Sequence, residues 1–169
     1  MTRFALRLPQ HQARLVALAV AYHLARPGSE LDRDTMSPYQ HGLAELPAVL
    51  DPYLDAEFAA IELNPLQVTL LSTALSSVLN ELKMYSVFDT MAGASARPRS
   101  TAPGFDERLR SLFPQIAADA AYASQLAEDA TMLRRQLPLA RARELLEGER
   151  LATREAARAG RKRWQFWKK

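Results

Sequence analysis

The stretch Leu63 to Asp89, LNPLQVTLLSTALSSVLNELKMYSVFD, constrains the fold more than any other part of this 169-residue chain. Val68, Leu71, Leu75, Val78, Leu82 and Tyr85 recur at alternating spacings of three and four, which places all six on one stripe of an α-helix. Leu66, Leu70 and Ala74 widen the stripe on one side and Leu79 on the other. The apolar arc therefore exceeds the roughly 100° of an ordinary surface helix and predicts a long central helix covered by its neighbours. Asn64 before Pro65 is a start signal, because Asn caps free backbone amides and proline fits the first helical position. Gly93, Pro98 and Pro103 end the helix by about residue 93. Leu63 to Asn80 carries no charge, yet Asn, Pro, Gln, Thr and Ser fill too many positions for a spanning helix of about 20 mostly apolar residues. The opposite face, Thr69, Ser72, Thr73, Ser76, Asn80 and Lys83, is small enough for a second helix or subunit to approach closely. A homo-oligomer through that face is one expectation.

A chain of this length is predicted to form one domain with a substantial core. With 48% hydrophobic and 24% charged residues, its composition is that of a globular protein. No cysteine is present, which removes disulfides, thiolate metal sites and a cysteine nucleophile and suits a reducing compartment. The expected setting is cytoplasmic, with a membrane-peripheral position as the variant, and a bacterial source is expected. Its net charge of +3 hides an asymmetry: residues 134–169 hold twelve Lys and Arg against four Glu. Between Glu30 and Glu62, eight acidic residues face the single Arg33. Acidic middle and basic end are able to attract each other within one chain or between two, or simply to stay solvated.

Near the N-terminus, Arg3, Arg7 and Arg14 precede the apolar run Leu15 to Ala21, which superficially resembles a secretory signal. The run sits at the lower end of the usual length of about 7 to 15 residues, and Pro9-Gln10-His11-Gln12 is an unusual approach to it. It is read instead as part of a helix from Pro9 or Gln10 to Arg26, with Leu15, Leu18, Ala19 and Tyr22 inward and Arg14 as its one internal charge. Before it, RFALRL alternates as a half-buried strand does.

The same order, a short alternating segment and then a helix, returns 55 residues later. Leu8, Gln12, Leu15, Ala19 and Leu24 match Leu63, Gln67, Leu70, Ala74 and Leu79, while Leu6, Val16 and Val20 meet the similar Ile61, Leu71 and Leu75. Residues 3–25 and 58–80 are thus a candidate strand–helix duplication, although Leu and Ala are common enough here to supply such matches by chance. A small two-stranded pairing of about 2–8 with 58–63 would bring Arg3 or Arg7 near Glu57 or Glu62, with both helices on one face.

Four prolines between Pro27 and Glu57 forbid a long helix there and leave short turns at about 38–46 and 47–54. Gly93 to Gly104 is a connector by composition. A short helix from Phe105 to Phe113 is then expected, and a longer one from about Gln115 to Leu137 that buries Tyr122, Leu126, Met132, Leu133 and Leu137. Its Glu128 and Asp129 stand near Arg134 and Arg135. Pro138 opens a last helix to about Gly160, whose apolar content ends at Leu146 apart from Leu151 and alanines, so it is expected to project. The fold class is mainly α: a compact helical domain over 1–137 and a projecting basic helix and tail over 138–169.

No catalytic motif emerges. His11, His23 and His41 lack metal-ligand spacing, and no glycine-rich phosphate loop is present, so no catalytic residue, cofactor or metal is predicted. The C-terminus is different. Arg143, Arg150, Arg154 and Arg161 fall in one narrow helical sector with Arg158 beside it, and RKRWQFWKK follows. There Trp164, Phe166 and Trp167 are fenced by Arg161, Lys162, Arg163, Lys168 and Lys169. Large aromatics beyond the reach of a core call for a partner. Anionic lipid fits, since tryptophan enters the headgroup region while cations meet phosphate. Nucleic acid fits through base stacking and phosphate neutralisation. A protein partner, or the chain's own acidic surface, is the third reading. The expectation is a non-enzymatic interaction or adaptor protein whose tail docks on a partner protein or an anionic membrane surface, with nucleic acid as the alternative.

Overall fold

The computed structural model describes residues 2–27, 29, 42–92, 100, 102–119 and 121–166, the side chains of 88–92 and 158–166 excepted. The alternating segments form two strands, β1 (Phe4–Pro9) and β2 (Phe58–Leu63), paired antiparallel with Leu6 opposite Ile61. Leu8, Ala59, Ile61 and Leu63 are buried on one face, with Phe4 and Leu6 partly so; Ala5, Arg7, Phe58, Ala60 and Glu62 are exposed on the other. Each strand runs straight into a helix, α1 (Gln10–Ala25) and, after three short helical turns and β2, α3 (Pro65–Ala92). The α2 helix (Leu46–Leu50) is the middle one of those turns. At the 55-residue offset Leu6 corresponds to Ile61, so the ladder is locally two-fold about this pair. The expected cross-strand contact forms between Arg3 and Glu62 at 3.7 Å, whereas Arg7 lies over the Phe58 ring at 4.6 Å.

All six stripe residues of α3 are buried, none more than 5% exposed. The start of α3 is a reciprocal capping box: the Gln67 amide N–H donates to Asn64 Oδ1 at 2.8 Å, and the Asn64 N–H donates to Gln67 Oε1 at 2.9 Å. The buried Gln67 side chain also donates to the Gly42 carbonyl, so its polar atoms are satisfied. Around α3 pack α1, α5 (Tyr122–Gln136) and the first turns of α6 (Leu139–Phe166). The Ser/Thr face supplies the close approach to α5. Ser76 accepts from Arg134 at 2.9 Å, and Ser86 and Ser124 share a hydrogen bond of 2.7 Å. Thr69, Thr73 and Ser76 each return a hydroxyl proton to the carbonyl four residues back. Ser72 is buried, and Thr73, Asn80 and Lys83 remain exposed.

In α1 the burial goes further than the four-residue stripe, covering Ala13, Leu15 to Val20 and Tyr22. The apolar run that resembled a secretory signal is therefore part of the core. Arg14 makes three separate attachments: Nε to the Leu54 carbonyl at 2.9 Å, Nη1 to the Leu112 carbonyl at 3.4 Å, and Nη2 to Asp55 at 3.0 Å. One guanidinium thus ties α1 to the turn before β2 and to the end of α4 (Phe105–Leu112). Arg14→Met is expected to lower the urea midpoint by the equivalent of about 1 kcal/mol with an unchanged slope, because the Leu112 carbonyl loses this donor while the Leu54 carbonyl keeps Gln10 and the exposed Asp55 turns to water.

Three expectations need correction. The helix predicted from Gln115 begins at Tyr122, because Pro114–Ala117 forms a tight 3-10 turn and Asp119 Oδ1 then caps the Ala121 amide. Met132 is 53% exposed rather than buried, since the inward stripe of α5 runs through Leu126, Ala130 and Leu133, about a third of a turn away. Asp129 reaches across to α1 and Arg134 to α3, so neither takes part in the expected local pairing. The turn expected over 38–46 is seen only from Gly42 onward; Pro38 to His41 lie outside the described residues.

Candidate functional site

The last helix starts on the body and leaves it. Leu137 is buried, Pro138 opens the turn, and Ala142 is fully buried against the core while Leu145 and Leu146 are half-buried. From Glu147 to Ala157 every side chain is exposed, including Leu151 at 59%. Ala, Arg, Glu and Leu are strong helix formers and no proline interrupts them, so the helix holds without a core beneath it. At about 1.5 Å per residue, the part from Glu147 to Phe166 is about 30 Å long.

The helix also runs further than its sequence suggests. An end near Gly160 and a separate tail were expected, but the backbone is helical through Phe166, because one glycine costs only about 1 kcal/mol and Arg, Lys and Gln around it favour helix. Arg143, Arg150 and Arg154 stand exposed, and among the described residues no carboxylate pairs with them. Glu147 falls within the same sector and dilutes the arginine ladder near the body. Arg158, Arg161, Lys162, Arg163, Trp164 and Phe166 belong to α6 by backbone, with side chains outside the description; Trp167, Lys168 and Lys169 lie beyond the described residues.

Three carboxylates of the acidic middle meet basic residues of the body, Asp55 on Arg14 at 3.0 Å, Asp51 on Arg108 at 3.8 Å and Glu62 on Arg3 at 3.7 Å, while Glu30, Asp32 and Asp34 lie outside the described residues. The element that α6 packs on is α3.

No known family, curated protein or solved structure matches this chain. Side-chain chemistry alone carries the functional reading.

One constellation was not visible in the sequence. His11 Nε2 lies 2.8 Å from Asp129 Oδ2, the His11 ring meets Phe113 edge-on at 5.5 Å, and Tyr122 packs on the same phenylalanine at 6.5 Å. His11 lies more than a hundred positions from the other three residues and carries no spacing signal. A histidine–carboxylate pair is capable of proton transfer. Among the described residues, however, no Ser or Thr hydroxyl bonds to the imidazole, and no three metal-binding side chains gather anywhere. The pair joins α1 to α5.

Burial, chiefly, and then the Asp129 carboxylate push the Tyr122 hydroxyl above its usual value of 10.0, against the lowering effect of Arg14. The folded protein holds this proton more tightly than the unfolded chain, so the contribution is complete below pH 10 and fades as pH rises through the higher folded value. Tyr122→Phe is expected to flatten the alkaline loss of stability, read as urea midpoints from about pH 9 to about pH 11.

Proposed function

We propose that this chain is a non-enzymatic adaptor that attaches to an anionic membrane surface through the outer turns of α6. The observation that carries the reading is the unbroken exposure from Glu147 to Ala157, which makes α6 a stalk holding its outermost segment away from the body. Residues 158–169, which begin with that segment and run on past the end of α6, have six Lys and Arg, no acid, and three large aromatics. Each basic residue near an anionic bilayer contributes about 1 kcal/mol, so the six supply about 6 kcal/mol before aromatic insertion adds to it. Lipid is favoured over nucleic acid by where the acids lie. Glu144, Glu147, Glu149 and Glu155 line the inner part of α6, where a helix laid along a phosphate backbone would meet repulsion. An end-on contact with a surface uses only the outer turns. Among the described residues no helix is long and apolar enough to cross a membrane, and the contact proposed is peripheral.

Co-sedimentation of the whole chain with vesicles tests this directly. Binding to phosphatidylserine-containing vesicles that is absent from purely zwitterionic ones and falls with salt is expected. Equal indifference to both, with tight salt-sensitive binding of a single-stranded oligonucleotide, supports the nucleic-acid reading; indifference to all three leaves a protein partner.

A further inference from the structure

The open face of the two-stranded sheet has a shape and charge pattern that fit a second copy of itself. Strand register places Arg7 beside Ala60 and Ala5 beside Glu62, so on this face one long charged side chain stands next to one alanine in each pair. Between them lies a groove of about 470 Å³ lined by Ala5, Arg7, Ala60 and Glu62 together with Leu6 and Ile61. Its outer ends are marked by the exposed Arg3–Glu62 pair, each side chain about two-thirds exposed, and by Phe58, 41% exposed under Arg7.

We propose that this face pairs with the same face of a second protomer about a two-fold axis lying in the sheet plane and perpendicular to the strands. That operation reverses position along the strand and leaves β1 over β1 and β2 over β2. With the axis passing over the Leu6–Ile61 pair, which lies between the two charged pairs, Arg7 stands over the partner copy's alanine at position 5, and Glu62 over its alanine at position 60. Long side chains enter the space over short ones. Each Arg7 also comes to lie beside the other copy's glutamate at position 62, so two intermolecular ion pairs form at the centre. The intramolecular Arg3–Glu62 contact, long and exposed, is weak enough to yield Glu62 to this arrangement. The face of two six-residue strands is smaller than the roughly 800 Å² per partner of a standard interface. The pairing is therefore weak and concentration-dependent in solution.

Charge reversal tests both the surface and the partner. With Arg7→Glu alone, both central pairs become acid against acid; with Glu62→Arg alone, both become cation against cation. Mixed in equal amounts, the two variants regain two opposite-charge pairs across a heterodimer. Sedimentation velocity up to about millimolar protein is expected to show reversible dimerisation of the natural chain, at least tenfold weaker self-association of each variant, and recovery in the mixture. Both positions are exposed, so circular dichroism should report an unchanged fold. A natural chain that stays monomeric throughout, or dimerisation that neither reversal weakens, overturns the proposal. So does a mixture that fails to recover. Retained dimerisation in both variants would point instead to the exposed Thr73, Asn80 and Lys83 face of α3. Vesicle binding by α6 is measured separately, and its failure leaves this result untouched.

Discussion

Leu75→Ala is expected to destabilise the protein by about 3 to 4 kcal/mol, a large part of the total stability of a single domain. Leu75 is 1% exposed at the middle of α3, the helix on which α1, α5 and α6 all pack. Truncation there opens a cavity at a fully buried position, which the surrounding core can fill only in part by relaxing. The comparison that makes the test specific is Leu151→Ala. Leu151 is 59% exposed on the projecting part of α6, and its removal should shift stability by no more than about 0.5 kcal/mol. Urea midpoints of the two variants, read beside the natural chain, measure the difference. Equal losses would mean that α6 is packed along its whole length and that α3 is not the hub.

The second large effect is on binding. Replacing Arg161, Lys162 and Arg163 together by glutamine removes three positive charges from the outermost turns of α6. At about 1 kcal/mol each, the loss is about 3 kcal/mol, or about a hundredfold weaker association with anionic vesicles at fixed salt. Arg143→Gln with Arg150→Gln removes two charges from the inner part of the same helix and should cost far less, because end-on contact keeps those residues away from the bilayer. A similar loss per charge at both places would contradict a tip contact and favour a helix lying flat. Co-sedimentation across a lipid titration separates the two patterns.

How far these features were legible in the residues depended on whether they were local. The α3 stripe was readable because six large apolar residues at helical spacing leave one consistent geometry, and all six are buried. The strand pair was readable from alternation together with the 55-residue offset, and the Arg3–Glu62 contact followed from it. The Asn64–Pro65 start was clear for the same reason, since capping is settled within four residues. Met132 was misjudged because an apolar residue in an amphipathic helix was assumed to face inward, whereas the neighbouring alanines do the packing. The extension of α6 to Phe166 was missed because Gly160 was weighed as a stop without a proline behind it. The His11–Asp129 contact joins positions 118 apart, and Arg14 reaches two carbonyls whose identity side-chain type does not encode. Those contacts are set by tertiary packing.

For the site, the arginine sector was readable from helical spacing. Its exposure was readable too, because the apolar content of the helix ends at Leu146 apart from Leu151 and alanines, and the side chains from Glu147 to Ala157 are exposed.

The most direct measurement uses a reporter the chain already carries. Trp164 and Trp167 are its only tryptophans, so intrinsic tryptophan emission reports the segment 164–167 and nothing else. Anionic vesicles are expected to shift that emission to shorter wavelength and protect it from a water-soluble quencher, with zwitterionic vesicles leaving it unchanged. Emission that is already blue-shifted and quencher-protected in buffer, and indifferent to lipid, would mean that the indoles are packed within the protein, contradicting an α6 tip presented for docking.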